Sequence, residues 1–172
     1  LFYEFLYYVL IYGFIQTSAV FAEEPSEDLI KNHLNSIFSK DSESIALAET
    51  LFLISKDWNS SLKEKPLKDK IDQLVESVKN QIKPGNTAQE TVNILRRVIH
   101  HEKAYRYTDQ VDGQGIPINL DELFLHGMLK SKYGYCMNLS LLYLIIGDQL
   151  NLPLHGVGLP NHFFVRYGSG SN

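Results

Sequence analysis

The sequence predicts an α+β protein: an N-terminal helical region, then a core in which a buried helix carrying the cysteine packs on a short antiparallel sheet. That core is expected to be incomplete at its C-terminal end. Three observations lead there. Apolar residues recur at helical spacing from Leu29 to the neighbourhood of Tyr107. The run MNLSLLYLII after Cys136 is apolar on nearly every face, as a buried helix is. Beyond it, HGVGLP and HFFVRY read as two short strands around a Pro160-Asn161 corner.

Size and composition narrow the class. A chain of 172 residues, 44% hydrophobic, suffices for one domain with a helical extension. A net charge of −4 and the lack of a basic stripe exclude a general pull toward nucleic acid or anionic lipid. A single cysteine excludes an internal disulfide framework and a cysteine-rich zinc site. Cys136 is therefore either a small buried hydrophobe or a reactive thiol.

Residues 1–22, LFYEFLYYVLIYGFIQTSAVFA, differ from the rest. The apolar run Phe5–Ile15 is short against the roughly 20 residues a spanning helix needs. Val20-Phe21-Ala22 places small residues where signal-peptide cleavage wants them. Export through a signal peptide is the first expectation, an uncleaved anchor the second and a core helix the third. Any contact with a membrane is expected through this segment alone.

Residues 23–107 form the expected helical extension. Ser26 caps a helix to about Phe38, and a second runs from about Ser42 to near Trp58. Pro66 suits the first turn of a third, in which Ile71, Leu74, Val75, Val78 and Ile82 keep helical spacing until Pro84-Gly85. Thr87 with Glu90 is a capping-box pattern opening a fourth helix to about Tyr107.

Residues 108–172 form the expected core. The loop DQVDGQGIPINLDE invites a calcium reading, but aligning Gly113 with the turn glycine puts Thr108 and Asn119 at the end positions. Those positions need carboxylates, so the reading fails. Asn119 or Asp121 instead caps a helix over Leu120–Lys130, which Gly134 closes off. His100-His101-Glu102 is not a zinc-binding HExxH, because position 105 is Tyr; both histidines are expected at the surface. No metal and no organic cofactor is assigned.

Cys136 begins the core helix, and a helix N-terminus, with free N–H groups and the positive dipole end, favours thiolate over thiol. The same N–H groups can hold an oxyanion during acyl transfer. His162 begins the second strand, where an imidazole could activate a thiol at the start of a packed helix. His155, in the loop entering its strand, has the weaker claim. Ser140, Tyr143 and Tyr135 are not expected to be catalytic.

The stretch GYCMNLSLLYLIIGDQLNLPLHGVGLPNHFFVRY resembles the bacterial transglutaminase-like domain of the papain-like cysteine protease group. In that family G-x-C opens the central helix, and a leucine-rich helix leads to a gV-x-x-P-x-H strand ending in [VL]-R. The resemblance covers about Asn119–Tyr167 and implies Cys136 as nucleophile and His162 as base. It implies a third residue, Asp, Asn or Glu, on the strand after the one bearing His162. The chain is thus expected to be a truncated copy. Asn161 does not fit that role, since on a strand it points away from its neighbour His162.

Three readings stand at this stage. The first is an exported Cys-His acyl-transfer enzyme of peptidase or amidase type, acting on amide bonds of a protein, peptide or cell-wall substrate. The second is a non-catalytic module on the same fold that binds protein or cell-wall material. The third is a membrane-tethered helical domain in which Cys136 fills the core.

Overall fold

The structure, a computed structural model, describes residues 47–160 and 162–168. The segment 1–22, the helix expected from Ser26 to Phe38, the start of the second helix at Ser42 and Asn161 lie outside the described residues. In chain order the elements are α1 (Leu47–Trp58), α2 (Lys65–Lys79) and α3 (Ala88–Arg96), which continues as a π-helical stretch, Arg97–Glu102. Strand β1 (Arg106–Tyr107) follows, then a 3-10 turn (Leu120–Leu123), α4 (Leu125–Ser131) and β2 (Tyr133–Gly134). Last come α5 (Cys136–Gln149), β3 (Leu154–Leu159) and β4 (His162–Tyr167). The architecture is α+β.

Helices α1 to α3 form where the apolar spacing puts them. Leu67, Ile71, Leu74 and Val78 are the buried stripe of α2, and Pro66 sits in its first turn, where a missing N–H costs nothing. The helix stops at Lys79, short of Pro84, because Gln81 and Ile82 both donate their N–H groups to Val78 O and tighten the turn. At α3 the capping box is complete: Glu90 N donates to Thr87 Oγ1 (3.2 Å) and Thr87 N to Glu90 Oε2 (2.8 Å).

Two expected elements are redrawn. The fourth helix does not reach Tyr107; it ends at Glu102, and Ala104 adopts a left-handed φ of 61°. Arg106 and Tyr107 instead pair in parallel with Tyr133 and Gly134, with Arg106 N donating to Lys132 O (2.8 Å) and Thr108 N to Gly134 O (3.1 Å). Helical spacing cannot see a ladder partner so far along the chain, and Tyr-Arg-Tyr-Thr fits a strand.

The helix expected over Leu120–Lys130 is two pieces. Asn119 is the cap, its Oδ1 accepting from Asp121 N (3.3 Å), but the turn breaks at Phe124 (φ −117, ψ 154). The break lets α4 fold back so closely that a Cβ on Gly127 would lie 1.9 Å from Asp121 O. Lys132, with φ 71, ends α4; Gly134 lies in β2 rather than terminating the helix.

One core joins these elements. Phe52 of α1, Ile71 of α2, Leu95 of α3, Leu129 of α4 and Leu142 and Ile146 of α5 belong to the same buried cluster. The helices read as an extension therefore share their interior with the cysteine-bearing helix. On the far side of α5, β3 and β4 form an antiparallel hairpin in register from Leu154↔Tyr167 to Leu159↔His162. Gly147 lies within α5, and a Cβ there would meet Leu154 Cδ1 at 2.7 Å, so its lack of a side chain admits the strand.

Candidate active site

Cys136 is the first residue of α5, behind an extended Tyr135 (φ −77, ψ 165) that offers no side-chain cap. Its thiol is free and half-exposed, outside the buried cluster. Two buried side-chain bonds fix the first turns of the helix. Asn138 Nδ2 donates to Glu122 O at 2.8 Å, tying the helix to the 3-10 turn. Ser140 Oγ donates to Phe163 O at 3.1 Å, tying it to β4. Ser140 is thereby occupied as a structural donor.

His162 opens β4. Strand alternation turns Phe163 inward, 2% exposed, and leaves His162 and Phe164 on the outer face, their rings 6.0 Å apart and nearly parallel. The fold brings the helix that begins with Cys136 against the strand that begins with His162. Among the described residues no hydrogen bond joins the thiol to the imidazole. His155 is half-buried on β3, opposite Arg166. His101 is exposed, whereas His100 is a packing residue: its Nδ1 lies 2.7 Å from Tyr105 O and its ring 5.8 Å from Tyr143.

One residue beside the thiol escaped the sequence reading. Tyr107 of β1 packs its ring 5.5 Å from that of Tyr135, the residue before Cys136. Its phenol is pushed up to about 12 by burial, then by Tyr135 and by the charge of Cys136. Half of Tyr107 remains exposed (51%), so the burial contribution is screened, leaving Tyr135 and Cys136 as its specific neighbours. The alternating YRYT pattern was the available signal.

A papain-like, cysteine-based enzyme fold is the class these elements define, and the chain belongs to the transglutaminase-like superfamily, whose family profile matches residues 65–172. That match takes in α2 and α3 as well as the cysteine-histidine stretch. Among curated proteins the chain is similar to F-box only protein 21 of Pongo abelii, 37% identical over 70 residues (39% of this chain, 11% of that protein). It is similar to the proteins of the same name in Mus musculus (38% over 53 residues) and Homo sapiens (40% over 53), each time across 31% of this chain and 8% of the relative. The chain thus spans only about a tenth of the length of these relatives. No solved structure matches it.

Proposed function

We propose that the chain is an exported Cys-His acyl-transfer enzyme of the peptidase or amidase type. The sulfur of Cys136 attacks an amide carbonyl while its proton passes to His162. N–H groups of the first turn of α5 hold the oxyanion. As the C–N bond breaks, His162 returns the proton to the leaving amine; water or another amine then displaces the thioester and restores the thiol. Neither a metal nor an organic cofactor is required by this scheme, and the substrate class is an amide of protein, peptide or cell-wall origin. Export rests on the apolar run and small residues of 1–22.

The observation that carries the reading is the Ser140–Phe163 bond, which locks the Cys136 helix to the His162 strand within a matched transglutaminase-like stretch. Iodoacetamide labelling tests it. Cys136 should alkylate rapidly, and His162→Ala should slow the reaction by about a hundredfold, the low end of general-base contributions. Equal rates in the two proteins reject the pairing. Mass spectrometry of material recovered from a secreting host tests export, with a mature start near Glu23 as the expected result.

A second reading, a binding module without catalysis, is favoured by the outer face of the hairpin. There Leu159 (49% exposed) and Phe164 (36%) flank His162. A folded protein whose thiol alkylates slowly would identify it.

A further inference from the structure

His126, in the first turn of α4, is 0% exposed, and among the described residues neither of its ring nitrogens has a hydrogen-bond partner. Its Nε2 lies 3.5 Å from Asp121 Oδ1, and that oxygen already accepts the indole N–H of Trp58 at 2.9 Å. Phe124 bridges the group, its ring 4.6 Å from Trp58 and 5.8 Å from His126. The segment that carries Asp121 also seats the cysteine helix, through Glu122 O and Asn138 Nδ2.

We propose that His126 is an acid-operated latch on the segment that seats the Cys136 helix. A neutral imidazole fits this enclosure; an imidazolium brings two N–H donors and a charge against a single facing carboxylate, Asp121, that is already engaged. The surroundings offer little relief. The 3-10 turn supplies Asp121, and Glu122 beside it is itself buried, its Oε2 without a hydrogen-bond partner among the described residues. α4 adds the repulsive charge of Lys130. α2 sends the ammonium of Lys70 to Leu129 O, and α1 contributes the neutral indole of Trp58. β2 bears no charged residue, and the only carboxylate of α5, Asp148, sits in its last turn.

Burial holds His126 below its ordinary value of 6.5, with Asp121 opposing the shift. The sign follows. The unfolded chain binds this proton at about pH 6.5 and the native chain only at lower pH, so the stability of the latched segment is full above that value and falls below it. The segment then opens, parting Trp58 from Asp121 and releasing Glu122 from Asn138. The consequence for catalysis rests on the proposed role of Cys136; the latch itself does not.

Trp58 is the single tryptophan of the chain and reports directly. Its emission, followed from about pH 7.5 to about 4.5, should shift to the red with a midpoint below about 6.5. His126→Gln should abolish that transition, and an identical titration in this variant overturns the proposal. Asp121→Asn removes the attraction that favours the imidazolium, so its midpoint should move to lower pH. If His126→Gln fails to fold by circular dichroism, this second variant decides, and an unmoved or raised midpoint overturns the latch. Alkylation of Cys136, compared between wild type and His126→Gln at each pH, should be equal near neutrality and diverge several-fold under acid. A constant ratio overturns the link to the cysteine helix. A thiol inert in both proteins at every pH rejects the catalytic reading instead, leaving the latch to the fluorescence.

Discussion

Ser140 and Phe163 are joined by one buried hydrogen bond, from a hydroxyl on the cysteine helix to a carbonyl on the histidine strand, 3.1 Å long. Ser140 stands one turn beyond Cys136, and Phe163 directly follows His162, so the bond ties helix to strand beside the candidate site, where β3 and β4 also pack on α5. Ser140→Ala strips the buried carbonyl of this donor and should lower stability by about 1–3 kcal/mol in a urea titration. The hydroxyl serves a backbone group and no reacting atom, so iodoacetamide labelling of Cys136 in native buffer should keep the wild-type rate. A large loss of thiol reactivity without loss of stability would contradict this division of roles.

Two glycines test how tightly the cysteine helix is supported. A Cβ at Gly127 would lie 1.9 Å from the carbonyl oxygen of Asp121, a backbone atom that cannot move without the whole 3-10 turn. A Cβ at Gly134 would lie 2.7 Å from Met128 Sδ, the end region of a flexible side chain. Gly127→Ala should therefore destabilise by about 3 kcal/mol, at the upper end of ordinary overpacking, and Gly134→Ala by about 1 kcal/mol. Thermal melts of the two variants check the order; the reverse ranking would mean that the turn is looser than its geometry.

The same neighbourhood shows what sequence could and could not convey. The start of α5, the β3–β4 hairpin and the capping box were legible because each is written in a local pattern: a continuous apolar run, alternation about Pro160, and Thr87 with Glu90. The cysteine and histidine were legible as a pair of element starts. β1 was not, since its partner strand at Tyr133–Gly134 lies beyond a long polar loop and two residues carry no period. The break at Phe124 was hidden for a related reason: it is imposed by the packing of Gly127 on Asp121, a tertiary contact that helical spacing does not record. His126 escaped because an apolar enclosure around a histidine becomes visible only once α1 and the 3-10 turn are assembled.

The capping box at α3 gives an acid-side prediction. Hydrogen bonds from the Thr87 backbone, then from its side chain, hold the Glu90 carboxyl below its ordinary value of 4.5. A depressed carboxyl contributes stability that is present above the unfolded value and lost as pH falls through the folded one. Thr87→Ala removes the side-chain partner, so the variant should be less stable than wild type near neutrality. The gap should narrow as the solution is taken below about pH 4.5, where the carboxyl begins to protonate. Chemical denaturation at two pH values measures it, and a gap that widens under acid would refute the assignment.

The alkaline side is governed by buried phenols. Tyr105 is 0% exposed, and burial pushes its hydroxyl up to about 12; Tyr143, half-buried on α5, is raised to about 12 by the same cause, with Arg96 acting against it. Lys132 lies against Tyr105, its Nζ 4.1 Å from the ring centroid and donating to the hydroxyl at 3.1 Å, and burial holds this ammonium below its ordinary range. A raised phenol keeps its proton in the native chain where the unfolded chain has already lost it. Stability from these residues is therefore intact below about pH 10 and disappears as pH climbs toward 12. Absorbance near 295 nm should show a late group of phenols that ionises only together with loss of the helical circular dichroism signal. Tyr105→Phe should remove part of that late step and make the protein more resistant to alkali than wild type. If the late step survives whole and the alkaline midpoint does not move, Tyr105 is not the group that yields, and the enclosure formed by α3, β1 and Lys132 is more open to water than its geometry requires.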